Sequence, residues 1–380
     1  MTCIQLSEDD VVTTGTPLRV GIIGANVDYG WGGRAHIPAL KKLPEFALTA
    51  VCTTRPETAA ATADRFEVPL SFHDHKELVQ HPDIDVVAVA VKVPYHFELT
   101  MAALNAGKHV YTEWPLGATL AEAKEMADAA KTKGVQTMVG LQARCSPFIL
   151  RIKELIAEGY VGEVLSCSVA NVAVGITEAP SDRMWRAPIE AGASSFTIGF
   201  GHTIDALEYA VSPFKDVSGV VSTQVPKWLN TDTKEMVDVT AIDTIAISGT
   251  LENGAIASAY VGSAPQHGTG YRMEIIGRDG TLVASGSGGP NTTPLQLQGG
   301  RAGSDKMEDI DITEAGVWTP NDVPQGPPFH VAQMYRKFSE QIATGTSQVP
   351  DFAAAVRLHE LLDAIQRSSD TGQRQQVHKG

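Results

Sequence analysis

The period of apolar and polar positions changes part-way along the chain. From Leu18 to about Gly140, short apolar runs alternate with stretches of helical spacing. The runs are Leu18–Gly24, Phe46–Cys52, Pro69–Phe72, Asp85–Val91, Lys108–Thr112 and Gln136–Val139. Helical spacing covers Ala35–Lys42, Arg55–Phe66, His75–His81, Tyr95–Asn105 and Leu120–Lys133. A run such as Asp85–Val91 has no polar alternation, so both of its faces are covered. Strand–helix–strand alternation of this kind predicts an α/β unit built on a doubly wound parallel sheet.

A helix is predicted over Ser146–Glu158, with Ser146 as N-cap, Pro147 at the first helical position and Gly159 and Gly162 ending it. Beyond it the pattern differs. Glu163–Val174 reads as a long strand and Thr197–Ala210 as a helix. Strands then follow at Asp216–Gln224, Val239–Leu251, Ala255–Gly262, Arg272–Ile276 and Thr281–Ser285. Leu251–Gly254 and Arg278–Gly280 are hairpin turns, because Asn-Gly and Asp-Gly accept positive φ. Successive hairpins predict a second, α+β domain with a large open, mostly antiparallel sheet. Pro327–Thr344 and Phe352–Ser368 are closing helices, and Gly286–Gly303 reads as a surface loop. The division is therefore a tail over 1–17, a first domain over 18–145 and a second over 146–380.

Composition narrows the function classes. Thirty Lys and Arg against 44 Asp and Glu give a net charge of −14, which argues against nucleic acid as a partner. Length, at 380 residues, and 43% hydrophobic content suit two globular domains. The most apolar run, Ile84–Val93, is interrupted by Asp85 and Lys92 and is too short to span a membrane. Met1–Pro17 lacks a basic start and an apolar core, so it does not read as a signal peptide. Cys3, Cys52, Cys145 and Cys167 have no ligand-like spacing, so no metal is expected; reduced, mostly buried thiols fit a cytoplasmic protein.

The first strand runs into a Gly-rich stretch from Gly24 through Asn26, Gly30 and Trp31 to Gly33. In a βαβ context such a turn brings backbone N–H groups to a dinucleotide pyrophosphate. Asn26 stands at the second glycine position, and the loop is about four residues longer than the usual fingerprint. The second strand ends in Cys52-Thr53-Thr54-Arg55, with no acid to bond a ribose 2′-hydroxyl. Arg55 is placed to pair with a 2′-phosphate, which favours NADP over NAD, or else it begins a surface helix.

Several ordered segments together resemble the Gfo/Idh/MocA oxidoreductases over Leu18 to about Ser368. They are GIIGA followed by His36–Leu40, Ala102–Gly117, Trp185-Arg186, Gly201–Asp205 and Leu251–Gly254. Gly30-Trp31, Glu113-Trp114, Gly140–Pro147 and Phe200–Asp205 bring it closest to the subgroup around the yeast galactose-pathway repressor, a cofactor-binding sensor. The resemblance implies a Rossmann domain binding NAD(P), and a second domain whose open sheet forms a homodimer or homotetramer. It also implies hydride transfer to or from a sugar, glycoside or related cyclic alcohol in the interdomain cleft. The family's usual Lys is replaced by Trp114 and its usual Asp by Ile198, leaving His202 as acid/base.

Lys92 and Tyr95, just past the fourth long strand, are candidate replacements in catalysis. By the resemblance Val91, Val93, Pro94, His96, Glu113, Trp114, Gln142, Trp185 and Arg186 join Gly24, Asn26, Trp31, Gly33, Thr53, Thr54 and Arg55 around the cofactor. Arg144 and Asp205 are candidate substrate ligands; Arg144, with Gln142, reads equally as a tie between the domains, and Asp205 as a cap on a neighbouring loop. Two further readings stand beside the dehydrogenase: a regulator that binds NADP without turnover, and an eliminating or epimerising enzyme that retains its NAD.

Overall fold

The computed structural model describes residues 15–26, 30–264 and 266–377. Most of the expected tail, Cys3 and loop positions 27–29 lie outside the described residues.

The first unit is a six-stranded sheet of β1 (Leu18–Ile23), β2 (Phe46–Cys52), β3 (Leu70–Phe72), β4 (Val86–Val89), β5 (His109–Thr112) and β6 (Thr137–Val139). Every pair is parallel and the order is β3-β2-β1-β4-β5-β6. That order reverses between β1 and β4, and ligands bind outside the carboxyl ends of strands at such a point. All four residues of β4 are buried, as an apolar run covered on both faces requires.

Around the sheet lie α1 (Ile37–Leu40), α2 (Pro56–Phe66), α3 (His75–Gln80), α4 (His96–Asn105) and α5 (Leu120–Lys133). Helix α5 starts where the Thr119 hydroxyl accepts the Glu122 N–H at 3.2 Å. The expected helix over Ala35–Lys42 is instead a wide π-helical turn, Gly32–His36, running into α1.

The chain then crosses through α6 (Pro147–Ala157). Ser146 occupies the N-cap position, but its hydroxyl is buried without a partner and makes no cap bond. The second unit holds β7 (Val164–Val174), β8 (Glu178–Ala179), α7 (Gly201–Ala210), β9 (Phe214–Ser222), β10 (Lys227–Asn230), β11 (Met236–Asp238), β12 (Thr244–Leu251) and β13 (Ile256–Ala264). It continues with β14 (Gly270–Gly277), β15 (Gly280–Gly286), β16 (Gln296–Arg301) and β17 (Glu308–Asp309), and ends with α8 (Pro327–Thr344), α9 (Phe352–Thr371) and β18 (Gln375–Gln376).

Nine strands form one sheet, ordered β17-β16-β15-β14-β7-β13-β12-β9-β18. It is antiparallel except where β7 runs parallel to β13. Two features depart from the sequence reading. The expected loop Gly286–Gly303 contains β16, whose alternating Leu297 and Gly299 face the core. A small sheet, β11-β10-β8, packs Trp228 against Ala187, Val239 and Ala241.

The closing helices return to the first unit. Helix α8 packs on α1 and on the π-turn of the phosphate loop, and α9 packs on α5 and β9. Burial in this seam leaves ring nitrogens unpaired: Nδ1 of His330 and Nε2 of His359. Burial lowers both histidines to about 4. An unfolded histidine titrates near ~6.5. Between those values the unfolded chain binds protons that the folded chain does not, so stability falls as pH drops from ~6.5 and levels off below about 4. The expected result is a melting temperature that declines on this limb, and declines less in His359→Phe; calorimetry across pH 4–8 checks it.

Candidate active site

The residues after β1 form a tight cradle. Gly24 has φ +100°, and a Cβ there would lie 2.4 Å from the Ala90 carbonyl oxygen beyond β4. Only glycine fits both constraints. Its N–H donates to the Cys52 carbonyl at 2.9 Å, which pins the turn at the sheet's reversal point. Asn26 follows, and Gly33 packs so closely that a Cβ would sit 2.8 Å from the Asn26 carbonyl oxygen. Trp31 stands at the head of the π-turn with its indole N–H buried and unpaired, and the Arg34 guanidinium lies 5.1 Å from its ring. A glycine cradle with an orphaned donor fits a dinucleotide.

At the end of β2 the Thr53 hydroxyl donates to the Arg55 carbonyl at 3.0 Å and meets the Thr58 hydroxyl at 2.6 Å. Thr54 and Arg55 are exposed.

The segment after β4 approaches the second unit. Val93 is buried, Val91 packs on the core, and Pro94 lies in the short turn Val93–Tyr95. The Lys92 ammonium donates to the Asp182 carbonyl at 3.2 Å and lies 5.5 Å from the Trp185 ring. It therefore bridges the two units. Tyr95 is 56% exposed at the end of its turn.

His96 is buried, with Nδ1 2.7 Å from the Pro115 carbonyl oxygen and Nε2 3.2 Å from that of Val91. Burial lowers its pKa, and a neutral imidazole has one N–H to donate. Both nitrogens face backbone, so His96 fastens the β4 end to the β5 end.

After β5, Glu113 enters a buried network. Its Oε1 lies 2.9 Å from His36 Nε2, and its Oε2 accepts from Gln142 Nε2 at 2.9 Å. His36 Nδ1 meets the Tyr335 hydroxyl at 2.9 Å. Burial alone would raise the Glu113 carboxyl; the His36, Tyr111 and Gln142 bonds hold it below the usual range. Glu113 and Gln142 thus belong to one support network at the β5 end, where the Glu113 side chain stays partly exposed. Nothing in the sequence links Tyr335, on α8, to this site.

Trp114 is likewise a wedge. Its indole N–H donates to the Thr197 carbonyl at 2.8 Å, and its ring lies 4.8 Å from that of His359. A Cβ at position 201 would sit 2.5 Å from the indole nitrogen, so Gly201 is the space that admits it. The indole thereby holds the π-helical turn Ser195–Phe200, which replaces the first part of the expected helix Thr197–Ala210 and delivers α7.

His202 stands in the first turn of α7. Its Nδ1 is buried and unpaired, and no protein group bonds Nε2 among the described residues. Burial lowers its pKa below the usual histidine value, while the carboxylates of Glu113 and Asp205 pull it up. One turn on, Asp205 accepts from Arg144 Nε at 3.0 and 3.1 Å and from Nη2 at 2.6 Å. These bonds form a tie between the two units. Thr203 accepts from Asn171 Nδ2 at 3.0 Å, which fixes α7 to β7; the sequence reading did not single out Asn171. Among the described residues no His, Cys, Asp and Glu cluster could hold a metal, and no helix is long and apolar enough to cross a membrane.

Residues 18–141 match the family described as an oxidoreductase family with an NAD-binding Rossmann fold, and residues 147–286 match the Gal80p C-terminal domain. The chain is 31% identical over 304 residues to the galactose/lactose metabolism regulatory protein of Saccharomyces cerevisiae, covering 74% of this chain and 70% of that one. The chain belongs to the Gfo/Idh/MocA oxidoreductase family. Members similar to it include dehydrogenase aclE of Aspergillus oryzae, 28% identical across 94% of this chain and 97% of that one. A solved structure of levoglucosan dehydrogenase in complex with NADH and levoglucosan superposes with a TM-score of 0.84 at 27% identity, covering 96% of this chain and 100% of that one. Family relatives thus include both dehydrogenases and a regulator.

Proposed function

We propose that this family member is an NAD(P)-dependent oxidoreductase acting on a CH–OH group of a sugar, glycoside or related cyclic alcohol. The observation that carries this reading is His202: a ring nitrogen left unbonded by protein, on a helix held against the β5 end by Trp114. The bound nicotinamide would accept or supply the hydride. In oxidation His202 Nε2 takes the hydroxyl proton, and in reduction it returns one. Glu113 and Asp205 stabilise the imidazolium formed, since both carboxylates favour the charged ring.

The cradle Gly24–Gly33, with Asn26 and the Trp31 indole, would hold the pyrophosphate. Val91, Val93, Pro94 and Trp185 would wall the nicotinamide end. The units stay joined beside it through Lys92 and Arg144.

Thr53, Thr54 and Arg55 would receive the adenosine ribose, and the exposed, acid-free strand end favours NADP. Arg55→Ala is expected to weaken NADP binding about tenfold, the size of one charge-assisted hydrogen bond, with NAD binding little changed. Fluorescence titration with each reduced cofactor checks this.

Self-association is proposed through the uncovered sheet face. Register places exposed Val220 beside Tyr260 across Ala246, and Ile256 beside Ile276 across Ser166.

A second reading, a regulator that binds NADP without turnover, is favoured by Trp114 and Ile198, neither of which can move a proton. Absorbance at 340 nm across cyclic polyols, glycosides and ketones separates the two. A change with any of them supports the enzyme; cofactor binding without change across the panel supports the regulator.

A further inference from the structure

One polar network behind the β5 end draws on both units. His36 comes from the π-turn, Tyr111 from β5 with Glu113 just past it, Gln142 from the turn after β6, and Tyr335 from α8. His36, Tyr111 and Tyr335 are 0% exposed. Their rings meet in a triangle, with centroids 4.9 Å from His36 to Tyr111, 5.7 Å from His36 to Tyr335 and 5.2 Å between the tyrosines. Gly140 leaves the carboxylate its space, since a Cβ there would lie 2.2 Å from Glu113 Oε2.

The donors in this network fix where the protons lie. Glu113 accepts from Gln142 Nε2 at 2.9 Å and from the Tyr111 hydroxyl, and its Oε1 lies 2.9 Å from His36 Nε2. A carboxylate only accepts, so His36 donates through Nε2. Its Nδ1 then faces the Tyr335 hydroxyl at 2.9 Å. Tyr335 has no other hydrogen-bond partner among the described residues, and a buried O–H without an acceptor is costly. The hydroxyl therefore donates to Nδ1, which selects the imidazole with its one proton on Nε2. The order runs from Tyr335 O–H to His36 Nδ1, and from His36 Nε2–H to Glu113.

This chain is no route for protons to water. It ends at Tyr335, whose ring lies 5.2 Å from that of Phe46 in the core. What it delivers is a fixed charge. Burial opposes the Glu113 carboxylate, and the bonds of the network outweigh that burial. The charge acts on His202 of α7, as does Asp205, which is itself paired with Arg144. It also acts on His96 of α4, whose ring nitrogens both face backbone carbonyls.

We propose that Tyr335 and His36 are positioning residues for the reaction: Tyr335 selects the His36 tautomer, and His36 holds the Glu113 carboxylate that supports proton uptake by His202. This rests on the oxidoreductase reading above and adds two side chains that act through Glu113. Without the His36 donor, burial drives the Glu113 carboxyl toward its neutral form. A neutral neighbour leaves His202 harder to protonate.

The test uses full-length protein with saturating NADP or NAD. Protonation of His202 is read by NMR titration of isotope-labelled histidine, its signal being the one absent in His202→Asn, and by the pH limb of kcat/KM. His36→Leu is expected to move both midpoints down by about 0.5 pH unit or more, the direction of a lost negative neighbour. Tyr335→Phe removes one buried hydroxyl and is expected to move them the same way by less. In His36→Gln an amide N–H reaches the carboxylate from the Nε2 position, and roughly half or more of the shift should be restored. A role in packing alone would lower the melting temperature and leave both midpoints in place. Unmoved or raised midpoints in His36→Leu and Tyr335→Phe, or no rescue by His36→Gln, would overturn the proposal. If His36→Leu does not fold, Tyr335→Phe decides it. A downward NMR shift without turnover would keep the brace on His202 and sink the oxidoreductase reading. Turnover with midpoints unmoved in the variants would do the reverse.

Discussion

Replacing His202 by Asn is expected to lower kcat by about 10²- to 10⁴-fold, the usual contribution of a positioned acid/base. Asparagine keeps a polar head of similar reach, but it takes up no proton near neutral pH. Little else should change. The His202 Nδ1 has no partner, so the substitution breaks no bond within the protein. The phosphate cradle at Gly24 belongs to another element, so cofactor affinity should hold. Steady-state kinetics together with a cofactor titration read the two effects separately. Equal weakening of cofactor binding and turnover would mean that His202 supports the fold and not the chemistry.

Removing Asp205 should give the largest loss of stability. Asp205 is 1% exposed, and its carboxylate takes the Arg144 guanidinium in bidentate fashion from the other unit. Asp205→Ala leaves that guanidinium desolvated with its partner gone, which costs about 3–5 kcal/mol in comparable buried pairs. In a chain of this size the melting temperature should drop by roughly 4–6 °C. Replacing both members by apolar residues, as in Arg144→Met with Asp205→Leu, should cost less than Asp205→Ala alone, because no buried charge is stranded. Thermal and denaturant unfolding check the order. Asp205→Asn adds a second readout. Loss of its negative charge should lower the His202 pKa further, since Asp205 is one of the two carboxylates that raise it.

The parallel sheet was legible because its strands are unbroken apolar runs; β1, β2 and α5 fall within a residue of where the pattern puts them. The two π-helical turns were not, since a wide turn has the same residue types as an α-helix and differs only in hydrogen-bond register. The strand β16 hid in Gly-rich composition, where Leu297 is its only strong apolar mark.

For the site, the carboxyl edge of the sheet was readable, but side-chain direction at that edge was not. Lys92 turns to Asp182 and Trp185, and Glu113 turns inward to His36. Such choices depend on partners far along the chain, 299 residues in the case of His36 and Tyr335. Local pattern carries no record of them. The substitution of Trp114 for the family's Lys was visible in sequence; that its indole props the turn ahead of His202 required the 2.8 Å bond to Thr197.

The pH dependence of kcat/KM for alcohol oxidation tests the central claim most directly. His202 must be neutral to take a proton, and burial sets its pKa below the ordinary histidine value of ~6.5. The account predicts a rate that rises with pH on a single limb below that value, is flat above it, and loses the limb in His202→Asn. A limb that survives unchanged in His202→Asn, or no turnover at any pH with cofactor bound, would contradict it.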